Sequence, residues 1–270
     1  MDFVKYHGAG NDFIIIDNRN DNYFPKKNVK QKRIRELCHR RFGIGADGLI
    51  ELKSSTEADF KMLYYNSDGS EGTMCGNGGR CIAAFAWQHM VAGKNMSFEA
   101  SDGIHKANIL NTENNITSVD LQLGSVSKIK IENEYIVIDT GSPHYIAFVE
   151  NIESLDVYNE GRKIRYDERF MPAGVNVNFV QSFKDHLFVR TFERGVENET
   201  LSCGTGVTAA AIAAFLKGIK FEKAQYPVKT KGGELSVRFN TVGKNLKFEN
   251  VWLTGEAVKV FEGVVLTKRS

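Results

Sequence analysis

The sequence of 270 residues predicts an α+β protein of two pseudo-symmetric lobes, each a set of strands gathered around one core helix. Two observations lead there. Met74-Cys75-Gly76-Asn77-Gly78 and Ser202-Cys203-Gly204-Thr205-Gly206 repeat one device: a cysteine, a glycine-bracketed turn, then an apolar helix. The copies lie about half a chain length apart, so each half is expected to own one. Around them the apolar runs are short and β-rich and do not alternate regularly with helices, which argues against a doubly wound parallel sheet.

Taken in order, Phe13 to Ile16 is a β-branched run after a glycine-rich turn, and Lys30 to Arg41 reads as a helix stopped by Gly43. Leu49 to Leu52 and Phe60 to Tyr65 read as strands, and Asn66-Ser67-Asp68-Gly69 as a turn leading into the first cysteine. From Gly79, the apolar positions Ile82, Phe85, Ala86 and Met90 fit helical spacing, and alternating strands follow to about Leu123. The second half restarts at Tyr135 to Asp139, with a loop over Thr140-Gly141-Ser142-Pro143-His144 and a strand over Tyr145 to Val149. Val175 to Gln181 and Leu187 to Phe192 are further strands, and Gly204 opens the second helix. Val207 to Leu216 is apolar all round and should be buried on every side. Leu235 to Phe239 and Val251 to Val260 return to strand character.

Composition narrows the function classes. With 42% hydrophobic residues the chain can build a large core, and its length favours two domains. Net charge is +2 from 35 basic and 33 acidic residues, and the cluster Lys30, Lys32, Arg33, Arg35 is interleaved with Gln31, Ile34 and Glu36 as on a solvated helix face. No nucleic-acid partner is expected. The start Met1-Asp2-Phe3-Val4-Lys5-Tyr6-His7 lacks a basic and apolar leader, and the longest apolar run, Ala209 to Leu216, is too short for a bilayer. A cytoplasmic protein with no membrane partner and four reduced cysteines is expected.

Cys75 and Cys203 are the leading candidates for chemistry. A cysteine just ahead of a helix sits where free backbone N–H groups and the helix dipole favour negative charge, so its thiol should ionise readily. Two such groups in a symmetric site between the lobes could handle a proton from opposite sides. Cys38 and Cys81, on helical faces among Leu37, Phe42, Ile82 and Phe85, read as packing. His7, in a glycine-rich loop, reads as structural, whereas His144 and Glu193, near the second cysteine device, are placed to tune a thiol. Asn11, Asn66, Asn77 and Asn176 fall in turns or at strand ends, and their amides could bind a zwitterion without adding net charge. Gly43-Ile44-Gly45-Ala46-Asp47-Gly48 has the spacing of a dinucleotide fingerprint but the wrong order of elements around it. No Walker sequence, zinc-spaced cluster or pyridoxal lysine context is evident, so no cofactor and no metal are expected.

His7-Gly8-Ala9-Gly10-Asn11-Asp12-Phe13, Gly43 to Gly48, Asn66 to Glu71, Cys75-Gly76-Asn77-Gly78, Gly141-Ser142-Pro143-His144, Glu193-Arg194-Gly195, Cys203-Gly204-Thr205-Gly206 and Leu253-Thr254-Gly255-Glu256-Ala257 together resemble the diaminopimelate epimerase family, in its order over nearly the whole chain. The resemblance implies cofactor-independent interconversion of LL- and meso-2,6-diaminopimelate in lysine and peptidoglycan-precursor biosynthesis. It implies two lobes, each a β-barrel around a central helix, with the site in the cleft between them, and a homodimer. The N-terminal lobe would cover 1–122, joined by the last strand at about 260–270, and the C-terminal lobe 123–259. By position Cys75 and Cys203 would be the acid/base pair, assisted by His144 and Glu193. Asn11, Asn66, Asn176, Glu193 and Arg194 would hold the substrate, with the backbone N–H groups of Gly76, Asn77, Gly204 and Thr205 at the reacting carboxylate. Ser142 stands where many members have asparagine, and Gly48 where some have glutamine, which bears on contacts to the distal end of the substrate. A phenazine-type isomerase of this fold does proton chemistry without the cysteine pair, and a proline-type racemase acts on a substrate with no distal amino acid group. Cys75 and Cys203 argue against the first, and Glu193-Arg194 with the four asparagines against the second.

Overall fold

A computed structural model describes residues 1–24, 27–221, 225–243 and 246–266. The chain divides into two compact units, one of Met1–Leu121 with the chain from Gly255 onward, the other of Gln122–Thr254. In the first unit, β1 (Asp2–Gly8) and β2 (Asn11–Asp17) pair antiparallel, and α1 (Lys27–Cys38) crosses over to β3 (Gly48–Lys53), parallel to β2. β4 (Phe60–Asn66) is antiparallel to β3, and α2 (Gly76–Gln88) crosses over to β5 (Asn95–Ala100), parallel to β4. β6 (Gly103–Glu113) and β7 (Ile116–Gln122) complete a meander.

The second unit holds β8 (Ile129–Ile131), β9 (Ile136–Asp139), β10 (Pro143–Phe148), α3 (Val157–Arg165), β11 (Asn176–Ser182), β12 (Leu187–Glu193) and the short β13 (Asn198–Thr200). It continues through α4 (Gly204–Leu216), β14 (Gln225–Thr230), β15 (Gly233–Thr241) and the first part of β16 (Phe248–Val264). The pairings repeat those of the first unit: β9 with β10 antiparallel, β10 with β11 parallel, β11 with β12 antiparallel, β12 with β14 parallel, β14 with β15 antiparallel. Each parallel step is bridged by a helix, as a parallel crossover requires. The C-terminal part of β16 pairs with both β7 and β1, which closes the eight strands of the first unit, β1 to β7 and β16, into a barrel.

One helix in each unit is buried along most of its length. In α2 every residue from Gly76 to Ala86 is buried; in α4 so are Gly204 and Gly206 to Ala214. Both are rich in glycine and alanine, so strands can approach the helix axis closely. Around α4 pack Ile138, Ile146, Val180, Val189, Val237 and Leu253, inward-facing residues of the surrounding strands. Burial at roughly 25 cal/mol per Å² of apolar surface then secures helix and strands as one core.

Several local expectations shift. α1 starts and ends earlier than Lys30 to Arg41, because the chain turns at Gly43, whose N–H bonds the His39 carbonyl, and Gly45 N–H bonds that of Leu37. His7 lies in β1 and His144 in β10 rather than in loops, since backbone pairing with β2 and β11 extends the strands outward past the apolar runs. Asn77 lies in the first turn of α2 rather than in a turn before it.

Candidate active site

Cys75 and Cys203 are the N-caps of α2 and α4. Their backbones nearly coincide in conformation, at φ −111°, ψ 121° for Cys75 and φ −122°, ψ 112° for Cys203. The first intrahelical bonds, Gly79 N–H to the Cys75 carbonyl at 2.7 Å and Val207 N–H to the Cys203 carbonyl at 2.8 Å, are also alike. The N–H groups of Gly76, Asn77 and Gly78, and of Gly204, Thr205 and Gly206, therefore come before the first intrahelical donors, Gly79 and Val207. Each cysteine sits at the positive end of a buried helix dipole. Cys38 and Cys81 differ: burial pushes the Cys38 thiol up to about 12 and raises that of Cys81, which keeps both as neutral packing groups.

In the first unit the Cys75 thiol faces Asn11 Oδ1 at 3.6 Å. Asn11 Nδ2 donates to Asp47 Oδ2 at 2.8 Å, and Asn77 Nδ2 donates to Asn11 Oδ1 at 3.4 Å. Behind them Arg40 bridges Asp12 and Asp47, at 2.8 and 2.7 Å, and Lys5 pairs with Asp12 at 2.8 Å. Burial alone would raise the Asp12 carboxyl, but hydrogen bonds from Arg40 and Lys5 outweigh it and hold the group well below the usual carboxylate range. Arg80, wholly buried on α2, donates to Asn77 Oδ1 at 2.9 Å and to the Gly76 carbonyl at 3.3 Å. Burial lowers the guanidinium's hold on its proton, while Cys81 and Cys75 act in the opposite direction. Asn66 sits at the end of β4 in a turn closed by its Nδ2 donating to Ser70 Oγ at 3.1 Å. Gly48 opens β3, where a Cβ would meet Tyr64 Cε2 and the Tyr65 carbonyl, each at 2.5 Å, so the Tyr64 ring fills the place a longer side chain would need.

In the second unit, Cys203 Sγ lies 3.4 Å from Thr205 Oγ1, and His144 Nε2 lies 3.0 Å from that hydroxyl and 3.1 Å from Ser142 Oγ. His144 is fully buried, and burial together with the Arg194 charge pushes its imidazole down to about 3. Asn176 Nδ2 donates to Ser142 Oγ at 3.1 Å and to the Pro143 carbonyl at 3.2 Å; its Oδ1 accepts from Arg194 N–H at 2.9 Å. Ser142 thus joins Asn176 to His144. Glu193 ends β12, paired with Asn198, and the Arg194 guanidinium donates to the Ala173 carbonyl at 3.1 Å.

Hydrogen bonds thus link Asn11 and Asn77 to Cys75, and Thr205, His144, Ser142, Asn176 and the Arg194 backbone in a chain to Cys203, while Asn66 and Glu193 stand at strand ends. Sequence reasoning did not single out three supports: Asp47, Arg80, and Asn178, whose Nδ2 lies 3.0 Å from His144 Nδ1. Asp47 stands in a glycine motif that marks no partner for it, Arg80 lies five residues beyond Cys75 with no partner visible in the sequence, and Asn178 is hidden in an apolar strand. Among the described residues no group of three or more His, Cys, Asp and Glu side chains could hold a metal ion, and no helix is long and apolar enough to cross a membrane.

The sequence model of the diaminopimelate epimerase family matches residues 3–129 and 136–260. A diaminopimelate epimerase from Flavobacterium psychrophilum is 49% identical, covering 98% of this chain and 100% of the relative. One from Aquifex aeolicus is 41% identical, covering 97% of each. Among solved structures, a phenazine biosynthesis protein of the PhzF family from Bacillus anthracis superposes with a TM-score of 0.72 over 99% of both chains at 18% identity. A probable proline racemase from Agrobacterium radiobacter gives a TM-score of 0.71 over 99% of this chain and 93% of its own, at 13% identity. These two structures share the fold.

Proposed function

The chain belongs to the diaminopimelate epimerase family, and we propose that it interconverts LL- and meso-2,6-diaminopimelate with Cys75 and Cys203 as the two bases. The observation that carries this reading is the pair of cysteine N-caps, alike in backbone and standing at the N-termini of two buried helices. Removing an α-proton leaves a poorly stabilised carbanion, so charge growing on the carboxylate needs preorganised donors. The N–H groups of Gly76, Asn77, Gly204 and Thr205 supply them, reinforced by two helix dipoles. A thiolate takes the proton from one face of the α-carbon and a thiol gives one to the other, the two exchanging roles with direction.

Asn11, Asn66, Asn176, Glu193 and Arg194 hold the amino and carboxylate groups of the substrate, and His144 and Glu193 tune the thiols. With Ser142 bonded to Asn176 and Tyr64 occupying the space beside Gly48, the distal end of the substrate relies on Asn176 and Arg194. The same reading makes the protein a cytoplasmic homodimer that needs no cofactor or metal for the reaction.

The direct test is epimerisation of LL-diaminopimelate by the purified protein and by Cys75→Ala and Cys203→Ala. Both variants are expected to fold and to lose inversion, since inversion needs both faces. Full activity in either would refute the assignment of the pair.

A further inference from the structure

α3 lies directly on β12, because a Cβ at Gly161 would meet Phe192 Cβ at 2.4 Å. Arg165, four residues on and the last residue of α3, shares that face and reaches the chain that leaves β12. Its side chain is 12% exposed and touches two loops. Nη1, buried with no hydrogen-bond partner among the described residues, stands 1.7 Å from where a Gly174 Cβ would be, so the guanidinium presses on the Gly174 backbone. Nε and Nη2 meet Glu197 Oε1, each at 3.2 Å.

Glu197 turns the chain three residues after Arg194. It is left-handed at φ 57°, a conformation that costs a side chain more than it costs glycine, and its N–H bonds the Glu193 carbonyl at 2.8 Å. Its carboxylate offsets that cost by accepting from Gly195 N–H at 3.0 Å and from the Tyr166 hydroxyl at 2.9 Å. Burial alone would raise this carboxyl, but those donors and the Arg165 charge outweigh it and hold the group below the usual carboxylate range.

The two loops joined by this ion pair flank the Arg194 side chain. The Arg194 guanidinium donates to the Ala173 carbonyl, next to Gly174, and the Arg194 backbone runs directly into Gly195, with its own N–H on Asn176 Oδ1 at 2.9 Å. Its charge acts on the buried His144. Arg165 and Glu197 thus fix the chain on both sides of a long side chain that has many rotamers to choose from.

We propose that the ion pair of Arg165 and Glu197 is a clamp that aims the Arg194 guanidinium at a substrate carboxylate, the two acting as positioning residues that touch no substrate themselves. The proposal rests on the reading of Arg194 as a substrate-holding residue and adds what holds it in place. A guanidinium set in advance for a carboxylate loses less freedom on binding. The contact is made at the distal end of the substrate, alike in the ground state and the transition state, so its loss falls on KM and spares kcat.

Glu197→Gly removes the carboxylate while relieving the left-handed backbone, which separates the clamp from any loss of stability in Arg165→Gln. Each variant should raise KM for LL-diaminopimelate about tenfold with kcat within about twofold of wild type, the scale of one hydrogen bond to a charged group. The double variant should match the single ones, because one clamp is lost only once. Amide exchange resolved by 15N spectra reads the clamp without turnover, and the Gly195 N–H should exchange about tenfold faster in both variants. Unchanged KM in either single variant, a KM that multiplies in the double variant, or unchanged exchange at Gly195 overturns the proposal. A wild-type protein that exchanges no α-hydrogen of diaminopimelate fails the functional reading, whereas one that epimerises while the variants keep its KM fails this proposal alone.

Discussion

Gly206→Ala and Gly78→Ala place the same methyl group three residues after each cysteine, and the surroundings predict different outcomes. At Gly206 the new Cβ would stand 2.3 Å from Asn178 Oδ1 and 3.3 Å from His144 Nδ1. The overlap with Asn178 is about 1 Å beyond what atoms tolerate. Asn178 has no room to yield, because it is wholly buried with both amide ends engaged. Overpacking costs about 1–3 kcal/mol, and each buried hydrogen bond left unmade a further 1–3 or so. The helix-propensity gain of glycine to alanine returns about 1 kcal/mol. A net loss of about 2–4 kcal/mol is expected, together with a fall in kcat as His144 is displaced. At Gly78 the nearest atoms are Ile50 Cδ1 at 3.1 Å and Met62 Cε at 3.2 Å, the tips of flexible side chains, so stability should stay within about 1 kcal/mol of wild type. Urea unfolding with unchanged slope reads both values. Equal destabilisation of the two variants, or none at Gly206, would refute the packing argument.

Asp47→Ala should lower kcat/KM about tenfold by releasing Asn11, while stability changes by less than about 1 kcal/mol because the Asp47 pairings are partly exposed; wild-type kinetics would remove Asp47 from the support of the site. His144 stays neutral in the folded protein down to about 3, whereas an unfolded histidine binds a proton near about 6.5. Between those values the unfolded chain holds more protons, so stability falls as pH is lowered through that window. His144→Gln should flatten the dependence of the urea midpoint on pH between about 6.5 and 4, and parallel curves for the two proteins would contradict the burial of a neutral imidazole.

The parts of the fold that sequence made legible are those fixed by local chemistry. Cysteine followed by glycines and an alanine-rich run specifies a capped, buried helix wherever it occurs, so α2 and α4 could be placed from their own residues. α3 was not seen: its interior Gly161 weakens the helical pattern, and that glycine is explained only by the Phe192 ring, which a Cβ would meet at 2.8 Å. β14 was hidden by Pro227 within it and is held by pairing with β12 and β15. In the site, Cys75, Cys203 and His144 announced themselves by motif. Asp47 and Asn178 did not, because each matters through a neighbour distant in sequence, Asn11 for the one and His144 for the other. Side-chain direction within a hydrogen-bonded cluster is a property of tertiary structure.

The two-base mechanism is tested most directly by isotope flow in the first turnovers. Pure LL-diaminopimelate is incubated with the enzyme in heavy water, and product and residual substrate are isolated early and analysed by mass spectrometry. One sulfur removes protium while the other, already exchanged with solvent, delivers deuterium, so product should carry deuterium from the first turnover and recovered substrate should still hold protium. Early product rich in protium would mean that a single base returns the proton it removed, and would contradict the pairing of Cys75 with Cys203.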